Sequence, residues 1–211
     1  MIDLRPAADR VTELVTGLVD EQLALATPCG PATVGDLVDH LGMFAANFVR
    51  VARKELDEVT STPPATFDGR RLEDGWRDRL AADLDALAES WADDDAWQGR
   101  TWVGGMHLPA EMAGVIALDE LVIHGWDLSV ATGRVYAPPA AEVDATFAFV
   151  STFDAPRDGR LFGPVVDVPT DAPVFERLLG LTGRDPSWRP TRPYERRPDH
   201  HVGRRAVGPR G

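Results

Sequence analysis

Glu120 and His124 are two ionisable residues in the most apolar segment of the chain. Their spacing of four residues places both side chains on one face of a helix, one turn apart. A carboxylate buried there without a partner would be strongly destabilising. His40 lies between Leu37 and Leu41 on the apolar stripe of another predicted helix, so we expect its imidazole to point inward as well. These residue types and spacings predict one shared interior site.

Two imidazoles and one carboxylate form a donor set that suits a divalent metal ion. Zinc is our first choice, with nickel, iron and manganese as alternatives. Three protein ligands leave a coordination position for water or substrate, which is the pattern of catalytic rather than structural sites. The residues also allow a simpler interpretation, in which Glu120 pairs with His124 and His40 donates to a backbone carbonyl.

Asp127 and His107 could belong to the same site. Asp127 follows His124 by three residues and could accept a hydrogen bond from its ring. We slightly favour the commoner arrangement, in which such an aspartate faces solvent or caps a loop. His107 precedes Pro109 in a glycine-rich segment, and we expect it to be a surface histidine.

The hydrophobic pattern predicts the helices that must position these groups. Thr33, with Asp36 three residues later, is expected to cap the helix that carries His40. The helix with Glu120 and His124 is apolar nearly all round, is expected to lie in the middle of a bundle, and ends at Gly133. Segment 97–108 predicts a short hairpin or an irregular loop. The predicted helices cover 6–19, the segment after Thr33, 71–93, 109–132, 139–153 and 172–181, and an extended segment covers 162–168.

Composition limits the classes of protein to which the chain can belong. Its 211 residues are 44% apolar, which suits one globular domain, and it has no apolar run long enough to span a membrane and no signal-peptide pattern. A single cysteine, Cys29, predicts a reducing cytoplasmic location. The net charge is −12, so we expect no binding of nucleic acid by the folded part. We predict a folded domain over 1–188 and a basic, disordered tail over 189–211.

Three segments resemble one known family. The sequences TPC at 27–29 and TVGDLVDHL at 33–41 are similar to the start of the second helix in the DinB/YfiT-like superfamily. ELVIHGWDL at 120–128 resembles the fourth-helix signature of its branch that contains mycothiol-dependent maleylpyruvate isomerase N-terminal domains. RLLGLTGRDPSW at 177–188 is typical of small, single-domain, metal-binding members.

The resemblance implies an all-α fold, a DinB-like four-helix bundle with a short C-terminal extension. It also implies a metal held by His40, Glu120 and His124, the residues selected above by burial and spacing. In the isomerase a catalytic arginine lies in a second domain. We expect no such domain after Trp188, which disfavours maleylpyruvate isomerisation and leaves a thiol-dependent isomerase as an alternative to a transferase. The TPC turn looks structural, so we interpret Cys29 as a small buried thiol at a loop rather than as a nucleophile.

The function hypothesis that follows is a metal-dependent thiol S-transferase. Its partners would be a low-molecular-weight thiol such as mycothiol and a small electrophile. A second hypothesis is a metal-binding or regulatory bundle without turnover, whose apolar helices could form a homodimer interface. A third is metal-assisted hydrolysis, which is weakened because no convincing general base lies beside the predicted ligands.

Overall fold

The computed structural model describes residues 1–62, 66–152, 157 and 161–190. Four helices, α1 (Arg5–Thr16), α2 (Val34–Ala52), α4 (Trp76–Ser90) and α5 (Ala110–Ala131), contact one another in a closed ring. In it α1 packs on α4, α4 on α2, α2 on α5, and α5 on α1. The predicted all-α four-helix bundle is therefore confirmed. The elements are α1 Arg5–Thr16, α2 Val34–Ala52, α3 Glu58–Ser61, α4 Trp76–Ser90, β1 Arg100–Val103, β2 Met106–Pro109, α5 Ala110–Ala131, α6 Ala140–Ser151 and α7 Val174–Leu181.

The start of α2 is fixed by the predicted capping pair. The Thr33 hydroxyl accepts a hydrogen bond from the Asp36 backbone N–H at 3.2 Å, and the Asp36 carboxylate accepts one from the Thr33 N–H at 2.9 Å. Each side chain thus satisfies a backbone donor that a helix start leaves unpaired. This start sets the phase of the apolar stripe, which places His40 on the inner face of α2.

Helix α5 is buried on nearly every side. It packs against α1 and α2 in the bundle and against α6 outside it. This explains why apolar residues surround its axis instead of forming one stripe. The helix ends at Ala131, and Gly133 follows with a φ of 71°, a left-handed conformation that glycine adopts without strain.

The C-terminal extension is built from α6 and α7. Helix α6 packs on α5, and α7 packs on α6. Gly183 ends this part with a φ of 84° and turns the chain back toward the bundle. The predicted extended segment at 162–168 forms no strand, although the Val166 N–H donates to the carbonyl of Gly180.

Three local predictions are refined by the structure. Segment 97–108 contains a hairpin, since β1 pairs with β2 in antiparallel register around Gly104 and Gly105, both at positive φ. The predicted helix 71–93 begins later, at Trp76, because Gly75 is left-handed. The first helix ends at Thr16 rather than residue 19.

The tail prediction concerns residues that lie largely outside the described ones, namely 191–211, so the division into a domain and a tail stays a prediction. Within the described ranges, no helix has both the length and the apolar character needed to cross a membrane.

Candidate metal centre

The facing surfaces of α2 and α5 bring the three predicted side chains together. His40 Nε2 lies 2.9 Å from Glu120 Oε2, and His124 Nε2 lies 3.2 Å from the same oxygen. The two imidazole rings meet edge to face, with centroids 4.9 Å apart. One donor atom from each residue lies within 4.8 Å of the other two. That these groups hold a metal stays a prediction.

The donor set fits a divalent ion on geometric grounds. Two ligand atoms at tetrahedral positions around one zinc ion are separated by about 3.3 Å, given bonds of about 2.0–2.1 Å. The separations of 2.9 and 3.2 Å between Glu120 Oε2 and the two ring nitrogens match that spacing. The same short distances also fit a hydrogen-bonded pair of histidines around one carboxylate, which is the simpler interpretation of the sequence.

The site is buried but open to solvent at Glu120. The side chains of His40 and His124 are 11% and 9% exposed, whereas that of Glu120 is 25% exposed. The Phe67 ring packs against His40 at a centroid distance of 4.2 Å, with the two ring planes tilted by 36°, and is itself partly exposed. Phe67 therefore covers part of the His40 ring.

The pKa values reflect how tightly these charges are coupled. Burial alone would raise the pKa of Glu120, but His40 and His124 outweigh it and hold that pKa well below its ordinary value. Burial alone would lower the pKa of His124, but hydrogen bonds to Asp127 and Glu120 raise it to about 10. In the metal-free protein His124 is therefore protonated at neutral pH and balances the carboxylates around it.

Asp127 orients the His124 ring from behind. Its Oδ2 lies 3.0 Å from His124 Nδ1, and its side chain is fully buried. The favoured interpretation of Asp127 as a solvent-facing or loop-capping residue is wrong. The reason is helical geometry, since a residue three positions after His124 lies on the same inward face of α5.

Arg184 was not predicted from the sequence. It follows α7 and reaches the bundle, where Nη2 donates to Asp127 Oδ2 at 2.9 Å and Nε donates to Asp127 Oδ1 at 3.4 Å. Burial alone would lower the pKa of Arg184, but the Asp127 charge outweighs it, so the guanidinium stays charged. No helical spacing connects Arg184 to the other residues, and only the glycine turn before it signals a change of chain direction.

Cys29 lies at the back of the same cluster. Its thiol is partly buried, and Arg184 Nη2 lies 3.3 Å from Sγ. Cys29, His124 and Asp127 also offer donor atoms within 4.8 Å of one another. The guanidinium already contacts two of these three side chains, so a cation there would meet a fixed positive charge. Burial raises the pKa of Cys29 despite nearby His124 and Arg184, which disfavours a nucleophilic thiolate.

Asp119 is a second buried carboxyl on α5. It is 5% exposed, and its Oδ1 has no hydrogen-bond partner within the described ranges. Burial, reinforced by the charge of Glu120, raises the pKa of Asp119 to about 8. Asp119 was not predicted to belong to the site, although an aspartate in an apolar helix is a visible signal in the sequence.

His107 lies apart from these groups, as predicted. It is exposed on β2, stacks on Trp102 with ring centroids 5.0 Å apart, and contacts Arg100.

Comparisons with known proteins agree with the fold. Two solved structures resemble the chain, and both are described as mycothiol-dependent maleylpyruvate isomerase, one of them a histidine-to-alanine mutant. The mutant structure has a TM-score of 0.51 at 15% identity, and the other has 0.50 at 17%. Each alignment covers 70% of this chain and 64% of the solved one, so the chain spans less than two thirds of their length. At these identities the likeness shows the fold alone. A search of curated proteins found no match.

Residues 4–129, more than half of the chain, match the family described as "Mycothiol maleylpyruvate isomerase N-terminal domain". This range contains α2 and all but the last two residues of α5, and hence His40, Glu120, His124 and Asp127, but it ends well before Arg184. The chain therefore belongs to the family of mycothiol maleylpyruvate isomerase N-terminal domains, as the sequence resemblance predicted.

Proposed function

We propose that His40, Glu120 and His124 bind one divalent metal ion, with zinc as the first candidate, and that the chain is a thiol S-transferase. The thiol would be mycothiol or a similar small molecule, and its acceptor a small electrophile. The observation that carries the proposal is the convergence of two ring nitrogens on Glu120 Oε2, at 2.9 and 3.2 Å. Support for the thiol comes from the family to which the chain belongs and from the printed descriptions of the two solved relatives.

Each of these side chains would have a distinct role in binding the metal. His40 and His124 supply neutral donors once deprotonated, and Glu120 supplies a negative charge that offsets part of the metal's charge. When bound, the ion supplies Lewis acidity, which lowers the pKa of a thiol at its open position. The partly exposed side of Glu120, beside Phe67, is where small molecules can approach.

The proposed reaction is a substitution or addition at an electrophilic carbon. The thiol sulfur forms a bond to that carbon and gives its proton to solvent. In a substitution the leaving group departs with its electron pair, and in an addition the π electron pair moves to the neighbouring atom, which takes up a proton from solvent. The chain has a net charge of −12 and should therefore repel anions. This favours neutral or weakly charged electrophiles.

The first test is metal analysis. We expect about one zinc per chain in the wild type, and a loss of most of it in His40→Ala and Glu120→Ala. His107→Ala is the matched control, since this exposed histidine lies on the hairpin and should leave the metal content unchanged. A wild type that binds no divalent metal, or variants that retain it fully, would reject the metal site.

The second test asks what the site binds. Cobalt-substituted protein titrated with mycothiol should develop a thiolate-to-cobalt charge-transfer band, followed by turnover with one or more members of an electrophile panel that includes maleylpyruvate. Turnover of maleylpyruvate alone would replace the transferase by an isomerase. Binding of mycothiol without any turnover would favour a regulatory bundle, and ester hydrolysis without thiol would favour a hydrolase.

A further inference from the structure

Arg184 connects the C-terminal extension to the back of the candidate metal centre. Its side chain is 8% exposed and lies just after the Gly183 turn that ends α7. Nη1 donates to the Thr182 carbonyl at 2.8 Å, which anchors the guanidinium to its own segment. Its other hydrogen bonds to described residues reach Asp127 on α5 and the thiol of Cys29 in the loop before α2.

Asp127 connects Arg184 to the imidazole of His124. Its Oδ2 accepts from Arg184 Nη2 at 2.9 Å and also faces His124 Nδ1 at 3.0 Å. A carboxylate only accepts hydrogen bonds, so the proton between the two groups belongs to Nδ1. The other ring nitrogen, Nε2, is then the one turned toward Glu120, at 3.2 Å. The direction of the ring depends on Asp127 being held in place.

We propose that Arg184 is a positioning residue for the metal site, which acts through Asp127 to hold the His124 ring in the orientation that binds metal. The inference rests on the proposed function. It gives a role to a residue outside the range 4–129 that matches the family. The guanidinium contacts both Asp127 oxygens, at 2.9 and 3.4 Å, so the carboxylate can neither rotate nor tilt away from the ring without breaking one contact.

A purely structural arginine would produce a different result. Removing Arg184 leaves Asp127 buried and short of a partner, so some loss of stability is expected under either interpretation. Only a positioning role also lowers the affinity of the folded protein for metal. Partners of a ligating histidine typically contribute about 10- to 100-fold to metal affinity.

The experiment compares Arg184→Gln, Arg184→Lys and Arg134→Gln. Arg134 is the matched control because its guanidinium also binds backbone carbonyls, those of Glu13, Leu14 and Gly17 at the end of α1, away from the metal centre. For each protein, zinc affinity is measured by competition with a chromophoric chelator, and the melting temperature is measured without metal. The visible spectrum of the cobalt-loaded protein reports on ligand geometry.

We expect Arg184→Gln to bind zinc about 10- to 100-fold more weakly and to show an altered cobalt spectrum. Arg184→Lys keeps a positive charge beside Asp127 but not the two-point contact, so its affinity should be intermediate. It also serves if the glutamine variant fails to fold. Arg134→Gln should melt earlier yet bind zinc within twofold of the wild type.

Wild-type zinc affinity in folded Arg184→Gln or Arg184→Lys would overturn the positioning role while leaving the metal site intact. Equal losses of affinity in the Arg184 and Arg134 variants would also overturn it, since destabilisation would then explain both. A wild type that binds no zinc would reject the proposed function and this role together.

Discussion

At the scale of single residues, the character of the site depends on which groups face each carboxylate. Asp127 has no exposed surface, so its charge must be balanced within the protein, and His124 and Arg184 balance it. The pKa of Asp127 is lowered because Arg184 and His124 outweigh the effect of burial. Asp127 thus accepts hydrogen bonds from two donors at once. We therefore expect that a residue of the same shape but without the negative charge cannot replace it.

Asp127→Asn tests that distinction. If the amide oxygen accepts from Arg184, the amide N–H₂ faces His124 Nδ1, and the ring must carry its proton on Nε2 instead. A protonated Nε2 cannot bind metal, so zinc affinity should fall by about 10-fold or more. Competition titration measures the change. Asp185→Asn is the control, because this exposed carboxylate accepts hydrogen bonds from Ser187; an equal loss there would remove the tautomer explanation.

The raised pKa of His124, about 10, predicts a pH dependence of metal binding. Below that pH the metal-free imidazole carries a proton that zinc must displace, so apparent affinity should rise with pH. The expected slope is about tenfold per pH unit for each proton released, measured between pH 6.5 and 8.5. Calorimetry in buffers of different ionisation enthalpy counts the protons directly. A slope of zero would contradict the assignment of His124 as a ligand.

At the scale of elements, a 3₁₀ turn at Gly69–Arg71 follows Phe67, whose ring packs against His40. The Asp68 N–H donates to Asp39 on α2 at 3.0 Å. A Cβ on Gly69 would lie 2.7 Å from the carbonyl carbon of Gly35, so the turn can approach α2 this closely only with glycine there.

Gly69→Ala should therefore push the turn away from α2 and uncover His40. We expect a lower melting temperature and several-fold faster removal of zinc by a chelator, because Phe67 no longer covers the ring. Gly42→Ala is the matched control on α2, where nothing lies within 4 Å of an added Cβ. It should stabilise the helix by about 1 kcal/mol and leave the rate of zinc removal unchanged. Unchanged removal from Gly69→Ala would show that Phe67 is not a barrier.

The geometry of single helices explains which site residues could be predicted from the sequence. His40 follows from the stripe and cap of α2, and Glu120 with His124 from a spacing of four on α5, because helix geometry is local. Arg184 is 57 residues from Asp127 and 155 from Cys29, so only the packing of α6 and α7 brings it there. Helix α4 begins at Trp76, later than the predicted start at residue 71, because the backbone of Gly75 is left-handed. The spacing of apolar residues gives no information about that backbone conformation.

At the scale of the whole molecule, α5 concentrates negative charge at the centre of the bundle. Glu120 and Asp127 carry that charge, Glu120 meets the His40 ring from α2, and Arg184 from the extension supplies a positive charge beside Asp127. The site is therefore complete only when three parts of the chain have packed together. A ligand that binds only this assembled state stabilises the whole fold through mass action, so zinc should raise the melting temperature.

Asp119 Oδ1 has no hydrogen-bond partner among the described residues. We expect this buried carboxyl to make the stability of the protein depend on pH. Its pKa is raised by burial to about 8 in the folded protein, against an ordinary value of 3.8. Below 3.8 both states are protonated. Between these values the unfolded chain releases its proton and the folded chain keeps it, so stability falls as pH rises and levels off above about 8.

Asp119→Asn removes this titration while keeping the size of the side chain. In the presence of a chelator, its melting temperature should nearly equal that of the wild type at pH 4 and exceed it by a margin that grows up to about pH 8. The difference between the two proteins isolates Asp119, because His124 and the other carboxylates titrate in both. Asp74→Asn, at an exposed position before α4, should show no such trend. If the difference in melting temperature between Asp119→Asn and the wild type stays constant from pH 4 to 9, the pKa of Asp119 is not raised by burial.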